Sequence, residues 1–322
     1  MLEVVTIIGG GYVGLNNAVL FAKKGFKVEI IDINPDVVEI INSGDLRHLH
    51  VLEEFIVRHW KFVKDSIEAT TDYSVIQESK YVLIAVNTPL KVVGDQLVHM
   101  LKNKVSRYEE YIDFNPLKSA VSEIARYIQP GTLISSEVTI CPGGTYERIA
   151  KPLEELSSLK LEKELYVIHA PERINPGDTR WTIDRIPRVI GGVGDKSLNM
   201  GIRLYRDRLG LQVFPAKSLM EAELTKLIEN VQRYINISFM SMIKIFADRA
   251  NIDFDNVIKL ASTKPFGFTT YYPGYAGGAC LPKDTLMLYL WLVNTGNTKY
   301  AEMLRSTIEV NELYSKYIAE DH

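Results

Sequence analysis

The sequence predicts an α/β protein in which a Rossmann-type, doubly wound and mostly parallel sheet is followed by an all-helical domain built on one long helix. A β-branched strand runs directly into a glycine-rich turn, and further strands then alternate with helical stretches. From Ser218 the pattern changes, and no glycine or proline interrupts the chain until well past Arg249. A chain of 322 residues, 46% of them hydrophobic, can bury two cores. We therefore expect two domains, residues 1–214 and residues 215–322.

The first predicted strand, residues 4–8, enters the turn Gly-Gly-Gly-Tyr-Val-Gly at residues 9–14, which opens a helical stretch. Glycines at this spacing allow a tight turn and close approach of a pyrophosphate, and the helix N-terminus attracts the phosphates. A second strand, residues 27–31, ends at Asp32, which can accept hydrogen bonds from ribose hydroxyls, and no arginine follows to receive a 2′-phosphate. The sequence therefore favours NAD as the cofactor. The predicted contacts are Gly9, Gly11, Tyr12, Val13, Gly14 and Asp32.

Two threonines follow later predicted strands. Thr88 comes after the strand at residues 81–86, and Thr139 comes after the strand at residues 133–136. The carboxyl ends of parallel strands face the ligand crevice, so we expect both threonines near the cofactor, the alternative being that they only cap turns. Asn115 with Pro116 is predicted to cap the intervening helix, while residues 90–111 are polar and aperiodic and predict no element.

The rest of the first domain is predicted as strands at residues 166–170, 189–192 and 211–214, with a helix at residues 198–209. Ser218 and Glu221 then form a capping box for a helix of about thirty residues, roughly 45 Å long. Such a helix can pair with its copy, so we expect a homodimer. Further helices are predicted at residues 253–262, 282–294 and 298–319.

Lys226 and Asn230 lie one turn apart on the predicted long helix, so their side chains share a face. An ammonium and a carboxamide that point together into a cleft suit a developing oxyanion. The alternative is an ordinary solvated face. The helix is apolar on most other sides, which favours at least partial enclosure of this pair.

Cys280 follows a paired-glycine turn and precedes Pro282, a residue typical of the first position of a helix. The helix dipole and the neighbouring Lys283 both favour a thiolate at this position, whereas Asp284 opposes it. A nucleophilic cysteine is therefore predicted, the alternative being a small buried hydrophobe in a tight turn.

Composition excludes several classes of function. The net charge is −3 and the basic residues are scattered, so no surface for nucleic acid or for an anionic membrane is indicated. No apolar stretch reaches membrane-spanning length and no signal segment is present, so we expect a cytoplasmic protein. Cys141 and Cys280 are the two cysteines, too few for a disulfide framework, and no metal-ligand cluster is predicted.

Taken together, these motifs resemble the UDP-glucose/GDP-mannose 6-dehydrogenase family in kind and in order along nearly the whole chain. The resemblance rests on residues 9–14 with Asp32, Thr139, Pro171-Glu172, Lys226 with Asn230, and residues 277–284 (Gly-Gly-Ala-Cys-Leu-Pro-Lys-Asp). Two further stretches look like the branch that oxidises UDP-N-acetylhexosamines, namely Pro171-Glu172-Arg173 followed by Pro176-Gly177, and residues 263–268 leading to Tyr272-Pro273-Gly274.

The resemblance implies a four-electron oxidation of the sugar C6 alcohol to a carboxylate with NAD. Cys280 would capture the intermediate aldehyde as a thiohemiacetal, which is oxidised to a thioester and hydrolysed. Lys226 and Asn230 would stabilise the alkoxide and oxyanion, and Asp284 would orient Lys226 or a water. The remaining implied roles are Thr139 for positioning water, Glu172 as the general base, Lys283 beside the cofactor, and Glu172, Arg173, Lys226, Asn230, Tyr272 and Gly277 as contacts to the UDP-sugar.

This chain also departs from the family pattern. Val37 stands where members usually carry a basic residue, Ala279 stands where this branch generally has histidine, and the family's third, UDP-binding domain is expected to be absent. Three alternatives therefore remain: a UDP-glucose 6-dehydrogenase, a two-electron β-hydroxyacid-type dehydrogenase with a similar Lys-x-x-x-Asn pair but no cysteine nucleophile, and an inactive truncated binding remnant.

Overall fold

A computed structural model describes residues 3–49, 53–103, 107–175, 177–278 and 280–320. Pro176 and Ala279, which belong to the motifs above, lie outside the described residues. The chain divides into two compact units, which are described separately below. The first unit contains residues 1–88 and 114–226, and the second contains residues 89–113 and 227–322.

The described residues form the following strands and helices. The strands are β1 (Val4–Ile8), β2 (Lys27–Ile31), β3 (Ile67–Thr70), β4 (Tyr81–Ile84), β5 (Leu133–Ser136), β6 (Tyr166–His169), β7 (Arg188–Gly192) and β8 (Val213–Pro215). The helices are α1 (Tyr12–Lys23), α2 (Pro35–Ser43), α3 (Glu54–Val63), α4 (Gly94–Asn103), α5 (Tyr108–Tyr111), α6 (Asn115–Tyr127), α7 (Lys151–Ser157), α8 (Asp195–Ile202), α9 (Leu219–Arg249), α10 (Phe254–Ala261), α11 (Leu281–Asn294) and α12 (Thr298–Glu320).

The first unit is built on one sheet of eight strands in the order β3-β2-β1-β4-β5-β6-β7-β8. All neighbouring strands pair in parallel except β6 and β7, which are antiparallel. The central strands β4 and β5 are buried along their whole length, as expected for a sheet covered by helices on both faces. The predicted fold class, a Rossmann-type and mostly parallel sheet followed by helices, is therefore confirmed.

Several predicted boundaries need correction. β4 ends at Ile84 rather than at residue 86, and β8 begins at Val213 rather than at residue 211. Asn115 does not cap α6, because it is the first helical residue and Phe114 occupies the capping position. The polar stretch at residues 90–111, which predicted no element, contains α4 and α5. In α4 only Leu97 and Leu101 are buried, so the apolar pattern is too sparse to indicate a helix.

The long helix α9 has 31 residues, in agreement with its predicted length. The Ser218 hydroxyl accepts the backbone N–H of Glu221 at 3.2 Å, as a capping box requires. The Glu221 carboxylate accepts the N–H of Lys217 at 2.7 Å rather than that of Ser218. The second hydrogen bond of the capping box is therefore shifted by one residue towards the N-terminus.

The second unit is helical. Its α9 residues pack against α10 through a small core of Met240, Ala247, Phe254 and Ile258. Elsewhere α11 packs against α12, and α12 is joined to α4 by an ion pair between Lys316 and Asp95 at 2.6 Å. None of the described helices of either unit qualifies as a membrane span.

Candidate active site

The glycine-rich turn is shaped by close backbone contacts in the first unit. Gly9 has a φ of +103°, and a Cβ there would lie 2.8 Å from the carbonyl oxygen of Ala85. A Cβ on Gly14 would overlap the carbonyl oxygen of Gly9, so only glycine allows α1 to pack this closely on the turn. Gly11 precedes α1, and a Cβ there would meet nothing within 4 Å. The open side of the turn is therefore where a pyrophosphate can approach the N-terminus of α1.

Asp32 follows β2 and holds the glycine turn in place. Its Oδ2 accepts the N–H of Gly10 at 2.7 Å, and its Oδ1 accepts the N–H of Asn34 at 2.9 Å. Each carboxylate oxygen has a further lone pair, which a ribose hydroxyl can use. Because the carboxylate and the turn are already joined, this part of the first unit fits a dinucleotide without rearrangement of the turn.

The other predicted cofactor contacts of the first unit lie on neighbouring elements. Tyr12 and Val13 are half-buried in the first turn of α1. Thr88 is buried and Thr139 is half-buried, and they follow β4 and β5, which pair in parallel. Both threonines therefore lie beyond the carboxyl ends of adjacent strands, where the sequence placed them.

The start of α9 is anchored to the turn that follows Thr139. Glu223 is buried, and its carboxylate accepts the N–H groups of Gly143 at 2.6 Å and Thr145 at 2.7 Å. Burial raises the pKa of Glu223, although these hydrogen bonds oppose the shift. The helix turn that carries Lys226 is thereby tied to the end of the sheet.

His169, the last residue of β6, lies in the same part of the first unit. Its Nδ1 lies 3.2 Å from the Thr145 hydroxyl, and its side chain is fully buried. Burial and then the positive charge of Lys226 lower the pKa of His169 to about 3. His169 is therefore neutral at physiological pH, and it adds no charge beside the Lys226 ammonium.

Glu172 is buried and already engaged by three partners. Its Oε1 accepts the N–H groups of Arg173 at 2.7 Å and Ile174 at 2.8 Å, and its Oε2 forms an ion pair with Arg188. Arg173 in turn donates from Nη1 to the carbonyl oxygen of Pro187 at 3.0 Å. The segment after β6 is thus held by side chains from its own sequence and from the start of β7.

In the second unit, Cys280 is the exposed residue that immediately precedes α11. Its carbonyl oxygen accepts the N–H of Asp284 at 2.9 Å, which closes the first turn of the helix. The Asp284 side chain is buried, and its Oδ2 accepts the Asn230 amide at 2.5 Å. The prediction that Cys280 lies at a helix N-terminus is confirmed, and the structure joins Asn230 of α9 to α11 through Asp284.

The other predicted residues of the second unit lie on either side of Cys280 in the sequence. The Lys283 ammonium is mostly buried and lies 4.0 Å from Asp284 Oδ1. Tyr272 is exposed, and Gly277 closes a short turn by donating to the carbonyl oxygen of Tyr275 at 2.9 Å. Within the described residues there is no group of three or more His, Cys, Asp or Glu side chains that could hold a metal ion.

Three of these residues, Arg188, Glu223 and His169, were not identified from the sequence. Each interacts with a partner far along the chain, so no local spacing connects them. The available signal was the position of His169, which ends a strand, because the carboxyl ends of strands border the ligand crevice in such a sheet.

Comparison with known proteins extends these observations to almost the whole chain. Residues 3–209 match the NAD binding domain of the UDP-glucose/GDP-mannose dehydrogenase family, and residues 220–313 match the central domain of that family.

Individual relatives support the same family assignment. The chain is 33% identical over 287 residues to a UDP-N-acetyl-D-mannosamine dehydrogenase of Pyrococcus horikoshii, covering 88% of this chain and 63% of that protein. It is 31% identical to Protein CapL of Staphylococcus aureus, covering 98% of this chain and 68% of that protein. The solved structure of the Pyrococcus horikoshii UDP-D-ManNAc dehydrogenase superposes with a TM-score of 0.83 at 31% identity, over 99% of this chain and 70% of that one. The chain thus spans about two thirds of the length of these relatives.

Proposed function

The chain belongs to the UDP-glucose/GDP-mannose dehydrogenase family, and from this premise we propose that it oxidises the C6 alcohol of a UDP-N-acetylhexosamine to the carboxylate with NAD. The choice of sugar is supported by relatives named UDP-N-acetyl-D-mannosamine dehydrogenase and UDP-N-acetyl-D-glucosamine 6-dehydrogenase. The balanced reaction consumes the alcohol, one water and two NAD, and it releases the carboxylate, two NADH and three protons.

The observation that carries the proposal is the first turn of α11. Cys280 is exposed there, at the N-terminal end of a helix, where reactive cysteines are commonly found. Asp284 on the same turn binds the Asn230 amide, so a sulfur nucleophile and a hydrogen-bonding carboxamide are connected through one buried carboxylate. A cysteine with only a packing role would not need this exposure.

Cys280 and the pair on α9 have complementary roles in the proposed chemistry. Lys226 and Asn230 stabilise the alkoxide formed when the alcohol loses its proton. The Cys280 thiolate then adds to the aldehyde carbon, forming a C–S bond, and the carbonyl oxygen takes up a proton to give a thiohemiacetal. When bound, NAD supplies the hydride acceptor for both oxidations.

The final step releases the product from Cys280. Water, positioned by Thr139, adds to the thioester carbon, and the C–S bond breaks with the electron pair returning to sulfur. We assign Glu172 to substrate binding rather than to proton abstraction, because its Oε1 already accepts two backbone N–H groups and its Oε2 forms an ion pair with Arg188.

The proposal is tested by incubating the protein with NAD and, separately, UDP-N-acetylglucosamine, UDP-N-acetylmannosamine and UDP-glucose, while NADH is counted per sugar consumed. We expect two NADH per sugar with one of the N-acetylhexosamines. In Cys280→Ser we expect the rate of carboxylate formation to fall by more than about 100-fold. The buried second cysteine provides the matched control, Cys141→Ala, for which two NADH per sugar are expected.

Other outcomes would replace the proposal. Two NADH per sugar with UDP-glucose alone would identify a UDP-glucose 6-dehydrogenase. One NADH per substrate, unaffected by Cys280→Ser, would indicate the two-electron alternative. Binding of a UDP-sugar without any NADH would identify a binding protein.

A further inference from the structure

A cluster of buried charged groups lies behind the segment that follows β6 in the first unit. Arg188 is fully buried, and its Nη1 donates to Glu137 Oε2 at 2.8 Å while its Nη2 pairs with Glu172. The other oxygen of Glu137 accepts the Tyr205 hydroxyl at 2.5 Å. One guanidinium therefore bridges two carboxylates that are both shielded from water.

Arg188 also reaches the backbone of the same segment. Its Nη1 lies 3.4 Å from each of the carbonyl oxygens of Ala170 and Pro171. Glu172, the ion-pair partner of Arg188, in turn accepts the N–H groups of Arg173 and Ile174. Five consecutive residues, 170–174, are thus fixed directly or indirectly by one side chain.

We propose that Arg188 is a positioning residue for substrate binding, which fixes residues 170–174 and so presents Glu172 and Arg173 to the UDP-sugar. This inference rests on the proposed function, in which that segment contacts the substrate. Removal of Arg188 would leave two buried carboxylates unpaired, which strongly disfavours the observed arrangement.

Glu137 binds Nη1 of the guanidinium, whereas Glu172 pairs with Nη2. Two neutral groups also contact this cluster: Arg188 Nη2 donates to Asn17 Oδ1 at 3.3 Å, and the Ser135 hydroxyl lies 2.8 Å from the Tyr205 hydroxyl. Burial raises the pKa of Glu137 to about 7, which the charge of Arg188 opposes and that of Glu172 reinforces. The cluster therefore contains two acids that share one cation.

The main test is Arg188→Lys, which keeps the positive charge but loses the planar fork that contacts both carboxylates. Hydrogen exchange of the Arg173 and Ile174 amides is expected to become at least about tenfold faster, while amides of β1 keep their wild-type rates. The dissociation constant for UDP-N-acetylhexosamine should rise by at least about tenfold, and that for NAD should stay within about twofold.

A milder variant tests the same inference if Arg188→Lys does not fold. Tyr205→Phe keeps the ring and removes only the hydroxyl that Glu137 accepts, so the same two amides should exchange faster by a smaller factor. Thr6→Val is the matched control, because it removes a buried hydroxyl bonded to Ser79 at 2.5 Å in the same unit but outside the cluster. It should leave both amides and both affinities unchanged.

Unchanged exchange at Arg173 and Ile174 in Arg188→Lys would overturn the inference, and so would equal acceleration throughout the unit, including β1. Equal loss of NAD and sugar affinity would also overturn it, because that pattern indicates general destabilisation. If Arg188→Lys does not fold, the amides in Tyr205→Phe decide the question alone. A wild-type protein that makes no NADH would defeat the proposed function, whereas the exchange result would still decide the role of Arg188.

Discussion

His169 shows how burial sets the charge of a single residue in the first unit. Its imidazole is fully buried at the end of β6, with one nitrogen near Thr145 and the Lys226 charge close enough to disfavour protonation. A second positive charge beside Lys226 would be repelled by its ammonium. Under the proposed function, a neutral His169 leaves Lys226 as the cation that stabilises the alkoxide.

The same burial makes the stability of the protein depend on pH. The pKa of His169 is about 3, below its ordinary value of 6.5, so the unfolded chain binds a proton in a range where the folded protein does not. The contribution is fully present above about pH 6.5 and is lost as pH falls towards 3, at up to about 1.4 kcal/mol per pH unit. In His169→Gln, the free energy of unfolding, measured by urea titration, should fall less steeply with acidification.

The exposed His48 provides the control for this experiment. His48→Gln should keep the wild-type dependence of the unfolding free energy on pH. If His169→Gln also kept the wild-type slope, the interpretation of His169 as a buried neutral residue would be wrong.

The positions of individual residues were predictable where a local pattern indicated them. The glycines at residues 9–14 and Asp32 follow a fixed spacing, and Cys280 is marked by the turn and proline around it. The buried ion pairs were not predictable, because Arg188 and Glu137 are 51 positions apart and meet only once β5 and β7 occupy one sheet. Pairing across strands is a property of the fold, and one sequence does not display it.

At the scale of elements, β1, α1 and β2 follow one another along the chain, and Asp32 comes directly after β2. The carboxylate is bonded to Gly10 at 2.7 Å, so its negative charge lies against the turn where the cofactor ribose and phosphates are expected. A ribose diol can donate to this carboxylate, whereas a 2′-phosphate is repelled by it. We therefore expect this element to select NAD over NADP by charge.

This selection can be measured by thermal unfolding. NAD at about 100 times its dissociation constant should stabilise the protein by about 2.7 kcal/mol, and NADP at the same concentration should stabilise it much less. Asp32→Ser should reduce the difference between the two cofactors. Asp36→Ser removes the same charge from an exposed position on α2 and should preserve the difference between the two cofactors. Equal stabilisation of the wild type by NADP would contradict the assignment.

Elements were predicted where periodicity was strong and missed where it was weak. β1, β2 and β5 have the predicted boundaries, because each is a short apolar run bordered by turn residues. The four-residue β3 and the polar α4 carry too few apolar positions to be distinguished from loops. Their conformation depends on contacts with the rest of their unit.

At the scale of the whole molecule, the second unit exposes an apolar stripe along α9. Phe239, Met242 and Phe246 recur at intervals of three and four residues and are 50%, 42% and 66% exposed. This spacing places them on one face of the helix, and exposed apolar stripes of this kind commonly mark association surfaces. We propose that a second copy of the chain covers this face in a homodimer.

The dimer is tested with the double variant Phe239→Ser and Phe246→Ser. A phenylalanine side chain buried at an interface contributes about 1.5–3 kcal/mol, so the dimer dissociation constant should rise by at least about 100-fold. Sedimentation velocity at several concentrations measures this change. Phe62→Ser removes a phenylalanine of α3 that is even more exposed and should leave the oligomeric state unchanged. A monomeric wild type would rule out the proposal.

The broad features of the molecule followed from the sequence. The family, the fold class and NAD as cofactor are confirmed, because they depend on motifs that recur in order over nearly the whole chain. The sugar is not determined in this way, since specificity depends on side chains whose arrangement around a substrate no spacing reveals. The substrate therefore remains a proposal that the NADH assay decides.

The two outer strands of the sheet have a consequence for aggregation. β3 has only four residues and exposes Glu68, while β8 has only three and includes Pro215, which has no N–H to offer to a further strand. Edge strands that are short, and that carry a charge or a proline, resist pairing between the sheets of separate molecules, which would otherwise lead to fibrils. Crowded or partly heated solutions of the protein should therefore be protected from this route to insoluble material.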